Sequence, residues 1–180
     1  MLKYLIILTL LSSCAPHSPE SCGVSSTAYG LRYIRPNKHV TFCVTDSVPE
    51  RYYIEIQAAA DDINNAIGKD VITLSGGTCK DNIYFSAKWS YEPQQQAVTN
   101  TWGDVKKIIR SDIYLNGEYF EFHGDRRIDL TTLMTHEFLH ALGFGHVTNR
   151  DSILFYSLGY NIVKKMNNED IQNLRCVYGN

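Results

Sequence analysis

Apolar and polar positions alternate from His39 to Asp46, with Val40, Phe42 and Val44 on one face, the pattern of a half-buried strand. The period then changes. Tyr53, Ile56, Ala60, Ile63 and Ile67 fall at steps of three and four, so their apolar stripe predicts an amphipathic helix. Ser47 and Glu50 have capping-box spacing at its entry, and Gly68 suits a left-handed stop. Short strands are predicted over Val71 to Ser75, ending at Gly76-Gly77, and over Asn82 to Ala87, where Ile83 and Phe85 share a side. Gln94 to Thr101 is polar but β-compatible, as an edge strand is. Lys107 to Leu115 reads as the next strand, closed by the turn pair Asn116-Gly117, with Tyr119 to Phe122 returning as a short hairpin arm. Helices are predicted over about Leu130 to Leu142, with Asp129 as cap, and over about Asn168 to Tyr178, stopping at Gly179. Strand, helix, four strands, helix, loop and helix make an α+β domain.

Composition narrows the class of function. The chain has 180 residues, 44% hydrophobic and 20% charged, which suits one domain with a real core. A net charge of −2 gives no basic field for phosphates and excludes nucleic acid as an expected partner. The N-terminus carries Lys3, then apolar Tyr4 to Leu11, then Ser12-Ser13, which is signal-peptide grammar too short to span a membrane. Leu11-Ser12-Ser13-Cys14 resembles the lipobox of bacterial lipoproteins. That resemblance implies cleavage before Cys14 and acylation of Cys14, with Ala15 to Pro19 as a Pro/Ser tether. The expected organisation is residues 1–13 as lipoprotein signal peptide, 14–37 as lipidated cysteine and tether, and 38–180 as the folded domain. The mature protein is expected as a monomer outside the cytoplasm, anchored to the outer membrane or cell surface. Cys22, Cys43, Cys79 and Cys176 remain, an even number that predicts two disulfides with three possible pairings.

The chemistry lies in His136-Glu137-Phe138-Leu139-His140-Ala141-Leu142-Gly143-Phe144-Gly145-His146. Residues i and i+4 of a helix lie one above the other, so His136 and His140 can offer imidazoles to one metal ion. Glu137 sits beside the first ligand without competing for the metal. Gly143 can adopt a left-handed conformation and end the helix, and the returning chain brings His146 as a third nitrogen. Three protein ligands with one open position is the pattern of a catalytic zinc site.

This segment resembles the H-E-x-x-H-x-x-G-x-x-H signature of the metzincin zinc peptidases, and within them it looks most like the matrixins. The family turns beneath its zinc on a methionine; the matching segment here is Ser152-Ile153-Leu154-Phe155-Tyr156, with Leu154 at the methionine position. Glu169 to Leu174 with Val177-Tyr178-Gly179 resembles the end of a matrixin catalytic domain. The resemblance implies a metzincin fold, a twisted mixed five-stranded sheet with three helices and the zinc site on the second helix. It implies one catalytic Zn2+ on His136, His140 and His146, and Glu137 as general base on the zinc-bound water. It implies protein or peptide substrates, cleaved as by an endopeptidase while extended along the edge strand near Gln95 to Thr99.

Several features depart from the family. Leu and Met have similar volumes, so Leu154 is expected to preserve activity. Val147 follows the third histidine, where better-known subfamilies carry their own marker residues. The structural zinc and calcium loops of vertebrate matrixins are not visible, which leaves calcium open, and His123-Gly124-Asp125 reads as a turn. Tyr156 stands where the astacin group has a tyrosine that can reach zinc; it reads here as a wall of the substrate pocket, with Tyr160 as a further pocket candidate. Glu20 to Val24 resembles the inhibitory motif of matrixin prodomains but lacks its flanking Arg and Asp, so Cys22 reads as a disulfide cysteine. The resemblance implies the pairs Cys22–Cys176 and Cys43–Cys79. A zinc-containing surface binding module without turnover and a zinc hydrolase of cell-wall peptides are the rival functions; the intact Glu137 speaks against the first.

Overall fold

The computed structural model describes residues 35, 37–104, 107–122 and 127–179. The expected signal peptide, Cys14, Cys22 and the His123-Gly124-Asp125 turn lie outside them. In chain order the elements are β1 (Val40–Val44), a 3-10 turn (Glu50–Tyr52), α1 (Tyr53–Ile67), β2 (Ile72–Gly76), β3 (Asp81–Ser86), β4 (Ala97–Asp104), β5 (Lys107–Asn116), α2 (Leu130–Ala141) and α3 (Asn168–Tyr178). The five strands form one mixed sheet in the order β2-β1-β3-β5-β4. Four run parallel; β4 alone is antiparallel, pairing with β5 and leaving its other side as the sheet edge.

Alternation along the strands explains the layering. Phe42, Ile83, Ile113 and Leu115 are fully buried in the core that also holds Ile56, Ile63 and Phe138 of α1 and α2. Each such side chain contributes roughly 1.5–3 kcal/mol by leaving water. On the opposite face Tyr84 and Tyr114 stack at 5.0 Å, and Cys43 and Cys79 form a disulfide with Cα atoms 5.6 Å apart. Cys176 is also disulfide-bonded; Cys22, its expected partner, is outside the described residues. Helix α1 ends as its sequence suggests, on Gly68 at φ 87°.

Three local expectations fail. No side chain caps the first helix: the chain enters through Pro49 and a 3-10 turn, so Ser47 and Glu50 form no capping box. The Ser47 hydroxyl instead bonds Thr45 Oγ1 at 2.8 Å and accepts from the Phe85 N–H at 3.1 Å, joining the exits of β1 and β3. Tyr119 to Phe122 forms no strand. Asn116 Oδ1 accepts from the Tyr119 N–H, and Phe122 is pulled inward against the rings of Tyr52 and Phe85. Burial of that ring decides the path. The edge strand also starts three residues later than its composition suggests, because Gln95 gives its carbonyl to the Asn116 side chain and so belongs to the loop.

Candidate metal centre and cleft

Helix α2 is capped by Asp129, whose carboxylate accepts from the Thr132 N–H at 2.8 Å. It is buried almost all round, so its polar residues inside the fold call for partners. Past Ala141 the chain reverses on Gly143 at φ 104°, where an L side chain would be strained, and returns with His146. The three Nε2 atoms then lie 2.9 Å (His140–His136), 3.2 Å (His140–His146) and 3.2 Å (His136–His146) apart.

Hydrogen bonding fixes what those nitrogens are. His136 Nδ1 lies 2.7 Å from the Ile153 carbonyl and His140 Nδ1 lies 2.7 Å from the Phe144 carbonyl. A carbonyl only accepts, so each Nδ1 carries the proton and donates. Burial pushes all three imidazoles below their ordinary pKa, His146 to about 4, with the neighbouring histidines adding to the effect at His136 and His146. They are neutral at pH 7, and at His136 and His140 the Nε2 atoms are therefore bare lone pairs. Lone pairs 3 Å apart cannot satisfy one another; a cation between them does. Zinc bound tetrahedrally at about 2.0–2.1 Å would hold nitrogens about 3.3 Å apart, so the trio fits with a few tenths of an ångström of adjustment.

The Ile153 segment that orients His136 is itself held. The Ile153 N–H donates to Asp170 Oδ2 at 3.0 Å, and the Ser152 hydroxyl bonds Asp170 Oδ1 at 2.5 Å. Leu154 is buried beside them, and its carbonyl accepts from the N–H of Val147, the residue after His146. The segment from Ser152 to Leu154 thus connects α3 to two of the histidines.

Glu137 is buried, and that burial pushes its carboxyl up to about 7. Its Oε2 accepts from the Thr99 hydroxyl of β4 at 2.5 Å, the contact that opposes the upward shift. Thr99 is the site residue that sequence reasoning does not single out; only its inward place on an edge strand points to it. Glu137, the three histidines and the stretch from Gln94 to Thr99 line one open cleft of about 960 Å³. Tyr156 is exposed and lines this cleft, whereas Tyr160 does not and packs on Phe120 at 6.2 Å.

Against this geometry a family model described as Matrixin matches residues 57–179, a span that runs from α1 through the edge strand and the histidine helix to the end of α3. The chain belongs to the matrixin family. No curated protein matches it. As a matrixin it is a zinc metallopeptidase, and its mixed five-stranded sheet with three helices is that of the family. The matrixin match also accounts for the convergence of His136, His140 and His146 on one possible metal position.

Proposed function

We propose that this matrixin is an endopeptidase that holds one zinc ion on the Nε2 atoms of His136, His140 and His146 and uses Glu137 as its general base. When bound, the metal supplies a Lewis acid that polarises the scissile carbonyl and acidifies water. The remaining steps belong to the chain. Glu137, whose carboxyl is pushed up to about 7, takes a proton from the attacking water and passes it to the departing amine. The Nδ1–H bonds of His136 and His140 hold both rings in the ligating tautomer. The open side of β4 takes the substrate as an added strand through main-chain hydrogen bonds. An acyl chain on Cys14 would keep the enzyme at a membrane surface outside the cytoplasm, acting on proteins or peptides there.

The single observation that carries this reading is the placement of a buried carboxyl beside three convergent imidazoles in a cleft bounded by an open sheet edge. Its test is hydrolysis of a quenched fluorescent peptide library by the zinc-loaded chain beside Glu137→Ala. Cleavage within the peptides should fall by about 100-fold or more in the variant, on the scale of general-base catalysis, while bound zinc stays near one per chain. Full activity in the variant, or no cleavage by the native chain with zinc bound, would overturn it.

A further inference from the structure

Thr99 faces two ways at once. The Asn116 N–H donates to the Gln96 carbonyl at 3.0 Å, where β4 begins to pair with β5. Main-chain direction alternates along an antiparallel strand, so Val98 and Asn100 turn their peptide groups toward β5 in step with Gln96. Ala97, Thr99 and Thr101 turn theirs toward the open edge. The side chain of Thr99 points elsewhere: its hydroxyl lies 2.5 Å from Glu137 Oε2 and 3.3 Å from the Glu137 carbonyl. Among the described residues Thr99 is the side-chain partner of that carboxyl, so one hydroxyl fixes its rotamer and leaves Oε1 for the reaction.

We infer that Thr99 is a positioning residue for the peptidase reaction, which sets the register of the substrate strand through its main chain and aims the Glu137 carboxyl through its hydroxyl. The inference rests on the endopeptidase reading above. Both functions sit on one residue, so a substrate paired at Thr99 arrives with its scissile bond at a fixed offset from the base. Hydrogen-bond chemistry explains why a hydroxyl suits the place. It donates to the carboxylate before proton uptake; afterwards it accepts from the carboxylic acid and donates to the Glu137 carbonyl. A threonine or serine serves both states, and a valine of the same shape serves neither.

The test compares the full chain with Thr99→Val and Thr99→Ser, all zinc-loaded. Loss of one hydrogen bond to a charged group predicts a fall in kcat of about 10- to 100-fold in Thr99→Val. KM for an extended peptide should stay within about threefold, because the main-chain groups remain, and Thr99→Ser should recover kcat to within about fivefold. A second readout needs no turnover: in crystals of the metal-free proteins, Glu137 should keep one rotamer in the wild type and in Thr99→Ser and occupy more than one in Thr99→Val. An unchanged kcat in Thr99→Val, an equal loss in Thr99→Ser, or a single Glu137 rotamer in all three would overturn the assignment. Absence of cleavage by zinc-loaded wild type would instead defeat the endopeptidase reading, while the rotamers still decide whether Thr99 holds Glu137. Should Thr99→Val fail to fold, Thr99→Ser with kcat within about fivefold of wild type and Thr99→Ala with the kcat loss and rotamer spread described would carry the same decision.

Discussion

Leu154 is buried, its N–H donates to the Ser152 hydroxyl at 3.0 Å, and its carbonyl accepts from Val147 at 3.1 Å. The sequence resemblance puts it at the family's methionine position, and nothing in those contacts uses a sulfur atom. Volume and apolarity are what the position requires. Leu154→Met should therefore change stability by less than ~1.5 kcal/mol and leave bound zinc unchanged. Leu154→Ala, which leaves a cavity next to the segment that holds His136, should cost about 2–5 kcal/mol and loosen the metal. Chemical denaturation with zinc titration of each variant checks both. Equal losses for Met and Ala would show that the leucine branch itself is required.

At the scale of elements, α3 reaches the candidate metal centre through its cap. Asn167 and Asp170 form a capping box, and the same Asp170 carboxylate takes the Ile153 N–H and the Ser152 hydroxyl. Asp170→Ala would strand two buried donors and the half-buried Asn167 N–H, so a loss of about 3 kcal/mol or more is expected. It would also free the Ile153 carbonyl that orients His136, and weakening such an outer contact lowers metal affinity by about 10–100-fold. Zinc affinity measured on the fraction that remains folded separates the two effects; unchanged affinity would show that Ile153 is held without Asp170. Helix α1 and strand β1 were legible because each carries one apolar face, which leaves period 3.6 or period 2 in the sequence. His136, Glu137 and His140 were legible because their geometry is local to one helix. Thr99 was not, since its meaning depends on β4 lying across α2, a contact between residues 38 apart. Capping boxes show both outcomes. Ser47 and Glu50 have the spacing, yet a strand neighbour takes the Ser47 hydroxyl. Asn167 and Asp170 form a true box that also serves the site, with asparagine and aspartate in place of the usual Ser/Thr and Glu/Gln pair.

The whole molecule is closed by Tyr178, at the last turn of α3. Its buried hydroxyl donates to the Leu142 carbonyl at the end of the histidine helix and accepts from the Arg35 N–H. Arg35 in turn bonds the Ala141 carbonyl at 3.0 Å and pairs with Asp81 of β3 at 2.6 Å, and Asp81 accepts from Ser111 of β5. The end of the histidine helix, the last helix and the middle of the sheet thus share one buried polar network. Burial pushes the Tyr178 phenol up to about 12, with the Arg35 contact acting in the opposite direction. In the unfolded chain the same group ionises near its ordinary value of about 10. Its contribution to stability is therefore complete below pH 10 and is lost as the pH rises from about 10 through about 12, because only the unfolded state gives up the proton early. Two pKa units correspond to roughly 3 kcal/mol. Tyr178→Phe should be less stable than the wild type by about 1 kcal/mol at pH 8, from the lost hydrogen bond. That gap should narrow from about pH 10 and reverse near pH 11, because the variant has no phenol to ionise at this position and the other tyrosines cancel in the difference. Urea denaturation of both proteins between pH 8 and pH 12 measures it. A gap that stays constant across that range would mean that Tyr178 ionises in the folded protein as readily as in the unfolded one, and that the network around Arg35 is open to water.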